Sequence, residues 1–212
     1  MSKRDTVIDT VLQLVPVLEQ EFSDSRAVVG ASADQALSAL SFLRPGFSVA
    51  LINVTAETRE VELPPAFSSR VSTIAFVQTS DETDVDWERV EPRPTGPVLV
   101  LKSPFKGTLR VGFTTGWTWD NVPDALLWPL TYGTLWHITQ ALAIQYGTSF
   151  RSQIDSSTIN YRTKADAFRD LAKTYERQFR ESLGVPKDKP VPFSWYLEPQ
   201  EESQAERANQ QR

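Results

Sequence analysis

The stretch YRTKADAFRDLAKTYERQFRESL, residues 161–183, carries the clearest structural signal in this chain. Small and apolar residues recur along it at spacings of three and four, the period of an amphipathic helix. Thr163 followed by Asp166 resembles a capping box, and Gly184 followed by Pro186 is a stop signal. The pattern predicts one long helix whose core-facing residues are Ala165, Phe168, Leu171, Ala172, Tyr175, Phe179 and Leu183.

The charged residues of this stretch alternate in sign. Basic residues at 162, 164, 169, 173, 177 and 180 are interleaved with acids at 166, 170, 176 and 181. Opposite charges three or four residues apart are neighbours on a helix. We therefore predict a salt-bridged exposed face and no stripe for binding nucleic acid.

Three further segments have a helical pattern. Residues 5–22 show an apolar stripe, with Pro16 expected to kink or shorten the helix. Residues 32–43 predict a short helix capped near Ser32 or Asp34. Residues 124–146 predict a helix entered through Pro123, with a break early in it at Pro129 or Gly133.

Between these helices the period changes to that of strands. Six short apolar or alternating runs occur within residues 47–115, separated by turns rich in Pro, Gly, Ser and Asp. We predict an α+β fold, in which a small helical bundle carries an inserted antiparallel β-sandwich or barrel and ends in an extended C-terminal tail. The predicted boundaries are 1–44 and 117–184 for the bundle, 45–116 for the insert and 185–212 for the tail.

Composition restricts the function classes. The chain has 212 residues, a formal net charge of −5 and no cysteine. The absence of cysteine excludes disulfides and thiolate chemistry, and the negative charge is the wrong sign for wrapping nucleic acid through its phosphates. No apolar run of the length of a membrane span occurs, so no membrane contact is expected.

Candidate chemical sites are weak. His137 is the only histidine and stands in a predicted helix, where a packing role is commoner than catalysis. The acidic run 81–88 lacks the glycine and glutamate of a calcium loop, and no glycine-rich phosphate loop is present. We therefore predict no catalytic residue, no metal ligand and no cofactor, and expect that the protein is not an enzyme.

Four of the six tryptophans lie between Trp117 and Trp136. Tryptophan is enriched at protein contacts, so we interpret Trp117 and Trp119 as core and subunit-contact residues. The alternative is a β-sandwich that binds carbohydrate through Trp87, Trp117 and Trp119.

The tail contains an apolar cluster, Phe193, Trp195, Tyr196 and Leu197, followed by a polar end. Burying such side chains stabilises a protein by roughly 1.5–3 kcal/mol each, so we expect them to be covered. The sequence leaves open whether they fold back on their own domain or bind a partner.

Four features of the sequence recur in a known layout: the leading helix 6–22, the segment GTLRVGFTTG at 107–116, VPDAL at 122–126 entering a helix, and the segment AFRDLAKTYE at 167–176. In this order of parts the chain resembles the head–tail connector (adaptor) proteins of long-tailed phages. The resemblance spans nearly the whole chain but includes no invariant motif.

The resemblance implies a structural virion protein with no covalent chemistry. It would form a homo-oligomeric, dodecameric ring beneath the portal protein and extend the DNA channel toward a tail-side stopper or tail terminator protein. Genome DNA would pass it without sequence-specific binding, which suits an acidic protein. The expected location is the virion neck, after assembly in the host cytoplasm, and Phe193, Trp195, Tyr196 and Leu197 would bind the portal or a neighbouring subunit.

Overall fold

The computed structural model describes residues 2–16, 18–68, 72–149 and 157–188. Within these ranges the fold is mixed, with helices at both ends and one antiparallel sheet between them. The helices are α1 Lys3–Leu14, α2 Leu18–Glu21, α3 Ser25–Leu43, α4 Leu127–Ser149 and α5 Ser157–Leu183, with a 3-10 turn at Asp124–Leu126. The strands are β1 Gly46–Glu62, β2 Ile74–Thr79, β3 Trp87–Glu91 and β4 Val98–Thr115.

The first two helices follow the prediction, since α1 ends before Pro16 and α2 resumes after it. The prediction for α3 was wrong at its start. Asp24 caps this helix by accepting a hydrogen bond from the Ala27 N–H at 3.0 Å, so α3 begins at Ser25 rather than near Ser32 or Asp34. The predicted break in α4 at Pro129 or Gly133 was wrong, because the helix is continuous through both residues. Pro129 lies in the first turn of α4, where a missing N–H costs no helical hydrogen bond.

Helix α5 is longer than predicted. It begins at Ser157, so Thr163 lies inside the helix and is not its cap. Leu171 was predicted to face the core, but it is 42% exposed. The predicted exposed ion pairs are confirmed for Arg169–Asp166 and Lys173–Asp170, whose charged atoms lie 2.6 and 3.1 Å apart.

The end of α5 has the predicted glycine stop. Gly184 has a φ of 66°, and the Val185 N–H donates back to the Arg180 carbonyl at 3.0 Å. The α4–α5 pair is antiparallel in its contacts: Tyr146 stacks on Phe168 near one end of α4, and Trp136 lies 6.1 Å from Phe179 toward the other.

The sandwich or barrel prediction was wrong, because the four described strands form one open sheet. Strand β4 is central. β1 pairs with one edge of β4 along nearly the whole length of β4, and β2 and β3 both pair with the other edge of β4. Four of the six predicted strands merge into β1 and β4, since pairing continues past the polar stretches that resembled turns. Register shifts beside Thr58 absorb those stretches as bulges.

The buried apolar residues form two clusters. One consists of residues from the helices and the segment joining β4 to α4, and the other consists of residues from the sheet and its connections, centred on Leu109, Val111 and Phe113. The domain boundaries stay predictions. The apolar cluster at 193–197 lies outside the described residues.

Candidate functional site

The segment after β4 is held against α3 by two tryptophans. The backbone N–H of Trp117 donates to Ser41 Oγ at 2.8 Å, and its indole Nε1–H donates to the Arg44 carbonyl at 2.7 Å. Ser41 itself is buried and donates to the Leu37 carbonyl. Trp117 therefore fixes the point where the sheet joins the helices.

Trp119 makes a second tether, farther along α3. Its Nε1–H donates to Asp34 Oδ1 at 2.8 Å, and Arg4 donates to both oxygens of the same carboxylate at 3.0 and 2.9 Å. Partial burial opposes the charge on Asp34, but the hydrogen bonds from Arg4 and Trp119 outweigh it, so the pKa of Asp34 lies below its usual value. One carboxylate thus joins α1, α3 and the segment leading to α4.

Both tryptophans are half-buried and pack against the helical cluster. Their indole N–H groups donate to acceptors within the chain. Their role as subunit contacts stays a prediction. Trp87 packs instead against the sheet cluster, so these three tryptophans are divided between two cores.

A cleft of about 560 Å³ lies beside Trp117. Phe47, Pro65, Ala66 and Trp117 give it apolar walls, and hydroxyl groups of Ser48 and Thr115 also line it. The cleft lies where the sheet meets the segment that follows β4. None of the described residues that line it is charged, so these residues offer hydrogen bonding and apolar contact.

The outer face of β1 exposes three large apolar side chains. Phe47, Val49 and Leu51 are 59%, 44% and 71% exposed, while the alternate residues of β1 turn toward the sheet core. The strand pairing places Val49 opposite Gly112 on β4, and Phe76 of β2 is opposite Gly112 on the other side. The Phe47 and Phe76 rings lie 6.2 Å apart, so the apolar surface continues across the sheet.

Gly112 is required for this surface. A Cβ atom at Gly112 would lie 2.3 Å from the Phe76 ring, closer than any side chain tolerates. Phe76 therefore covers the gap that the glycine leaves. Arg110, paired with Glu82 at 2.6 Å, borders the patch and lies 5.9 Å from the Phe76 ring centre. We call Phe47, Val49, Leu51 and Phe76 the β1 patch.

Sequence reasoning missed the β1 patch. Residues 47–54 are apolar at both odd and even positions, with only Ser48 and Asn53 polar, so alternation could not assign an outer face. The absence of any charged residue in this run was the available signal.

His137 is buried, with 6% exposure, and stacks against Trp136 with the ring centres 4.6 Å apart. Burial lowers its pKa to about 4, so the imidazole is neutral at pH 7. This is the packing environment that the sequence predicted. Within the described ranges, no three His, Asp or Glu residues come together as metal ligands, and every helix is too short or too polar to cross a bilayer.

No family model matches this chain, and no curated protein matches it either.

Proposed function

We propose that this chain is a structural subunit of a phage head–tail connector, a homo-oligomeric ring that binds the portal protein and continues the DNA channel to the tail. The observation that carries the proposal is the β1 patch. Exposed apolar surface of this kind marks an interaction site. The chain thus presents apolar contact surface at the sheet and, in its sequence, a second apolar cluster at 193–197.

The order of parts supports the same role. Helices precede and follow an antiparallel sheet, which is the layout by which the sequence resembles connector proteins. The acidic balance suits a channel wall that DNA must pass without adhering. In this role the protein binds portal on one side and a stopper or tail terminator on the other, performs no covalent chemistry and resides in the virion neck.

The tail completes the proposed assembly. Phe193, Trp195, Tyr196 and Leu197 bind the portal or an adjacent subunit, because a few buried aromatic side chains supply most of the free energy of many interfaces. Trp117 and Trp119 hold the sheet at a fixed place relative to α3, and so set where the β1 patch meets a neighbour.

The carbohydrate-binding alternative has less support. A sugar platform needs aromatic faces that are presented together. Trp87 packs on the sheet cluster, whereas Trp117 and Trp119 pack on the helical cluster.

Native mass spectrometry and negative-stain imaging of the full chain, alone and mixed with its portal protein, test the proposal. We expect a ring, or a complex in which this chain caps the portal. A chain that remains monomeric, leaves the portal bare and binds oligosaccharide instead would overturn the connector role.

A further inference from the structure

The outer edge of β1 lacks a strand partner within the described residues. In the sheet order β1-β4-β2, β1 is terminal and pairs with β4 alone. The backbone groups on its other edge are therefore available to an added strand. Edge strands of this kind recruit further strands unless the sequence prevents it.

Residues 46–54, GFSVALINV, contain none of the usual protection. Natural sheets blunt a free edge with lysine, other charges or proline, and this run has no charged residue and no proline. The far part of the same strand differs, since residues 57–62 include Glu57, Arg59, Glu60 and Glu62. The unprotected half of β1 is also the half that carries Phe47, Val49 and Leu51.

The chain itself contains a segment with matching chemistry. It continues past Asp188 to Arg212, and within VPFSWYL, residues 191–197, the apolar residues Val191, Phe193, Trp195 and Leu197 occupy every second position. As a strand, this segment would present all four on one face.

The prolines of that segment are compatible with strand addition. Pro190 and Pro192 are two positions apart, so the backbone nitrogens of both would face the same edge of the added strand. The opposite edge keeps the N–H groups of Val191, Phe193 and Trp195 for pairing. Proline in a strand is tolerated where its nitrogen faces away from the ladder.

We propose that residues 191–197 of one copy add as a strand to the free edge of β1, residues 46–54, of a neighbouring copy, and extend the β1 patch with their apolar face. The choice of a neighbouring copy rests on the proposed function. A contact between two different surfaces, tail to edge, repeats from copy to copy and forms a ring where the rotation between copies closes. Pairing by main-chain hydrogen bonds, with alternate side chains supplying specificity, is an established mode of peptide recognition.

Because the protein has no cysteine of its own, cysteines introduced at chosen positions are the only thiols that can be cross-linked. Cross-linking of such cysteines tests this contact directly. Full-length chains carrying Asn53→Cys are mixed with full-length chains carrying Ser194→Cys and treated with a short bis-maleimide. Asn53 is exposed at the end of the apolar run, and neither change removes an apolar side chain. The matched control replaces Asn53→Cys by Asp170→Cys, an exposed position on α5.

We expect a covalent dimer of unlike chains in the first mixture and at most a trace in the control. A second comparison uses Leu51→Lys and Ile144→Lys, whose native side chains are 71% and 66% exposed. The first change should weaken self-association at least tenfold and the second should leave it unchanged.

Four results would count against the inference. A further chain carries both Asn53→Cys and Ser194→Cys. If its two cysteines link only within the same chain, residues 191–197 pair with the sheet of their own copy. Linkage of Asn53→Cys chains to each other would make the β1 edge a contact between two sheets. Rings or portal complexes that form with no linkage would exclude the contact while leaving the connector role intact, whereas absence of all assembly would count against both.

Discussion

The indole Nε1–H of Trp119 and the Oδ1 atom of Asp34 lie 2.8 Å apart although 85 positions separate the two residues in sequence. Arg4 holds the same carboxylate from α1 with two hydrogen bonds. The segment that leads out of the sheet is thereby attached to two helices of the N-terminal part. This attachment fixes the start of α4 relative to α3 independently of the sheet.

Trp119→Phe should lower the free energy of unfolding by about 1–2 kcal/mol, because it removes one hydrogen bond to a charged group and little apolar contact. The matched control is Trp128→Phe, since the Trp128 Nε1–H donates only to the exposed Tyr132 hydroxyl at 3.2 Å. Urea unfolding measures both variants. Equal losses would show that the Asp34 bond has no special weight.

Stability should fall as pH decreases from about 6.5 toward about 4, in part because of His137. Burial depresses the pKa of the folded-state imidazole to about 4. The stabilisation that comes from burying neutral His137 is therefore complete above the pKa of the imidazole in the unfolded chain. It is lost as the pH falls and the unfolded chain takes up the proton. A shift of this size corresponds to about 3 kcal/mol.

The variant His137→Gln isolates this contribution, because the chain has no other histidine and the substitution leaves every carboxylate in place. Unfolding measured at pH 7 and at pH 4 should show a smaller loss in the variant. An identical loss in the two proteins would contradict the assignment.

Gly133→Val should destabilise the protein by about 1–3 kcal/mol through overpacking. A Cβ atom added at Gly133 would lie 3.0 Å from the Ala36 Cβ and 3.2 Å from the Phe179 ring, where α4 passes between α3 and α5. Gly147→Ala serves as the control, since the nearest atom there is the flexible end of Arg169 at 3.5 Å. That change should raise the thermal midpoint slightly, because alanine favours the helix.

Trp117→Ala should reduce both stability and ring assembly. It removes the hydrogen bond to the Arg44 carbonyl and the side chain that packs between the sheet and the helices. Thermal unfolding and native mass spectrometry separate the two effects. A variant that assembles normally but loses oligosaccharide binding would favour the carbohydrate-binding alternative.

Truncation after Gly184 should leave a cooperatively folded chain and greatly reduce retention by the portal protein or by other copies, since it removes Phe193, Trp195, Tyr196 and Leu197. Truncation after Gln200 removes only the polar end and should change retention little. Pull-down of the three proteins at equal concentration measures this. Equal retention of all three would show that the tail is not the anchor.

Local patterns specified much of the architecture. The period of three and four predicted the amphipathic helix that became α5, Pro16 marked the end of α1, and Gly184 marked the end of α5, because each depends on backbone chemistry within a few residues. Helix starts were less well determined: Asp24 rather than Ser32 caps α3, since several polar residues could serve and packing selects one.

Tertiary structure alone decided the sheet and its exposed surface. Residues 47–54 are apolar at both odd-numbered and even-numbered positions. Only the pairing of β1 with β4 therefore determines that Phe47, Val49 and Leu51 face outward. The polar stretches beside Thr58 could have been turns or bulges, and long-range pairing to β4 selected bulges. The sequence by itself determines the local periodicity and the ends of helices. Which face of a strand is buried depends on contacts with residues far away in the chain.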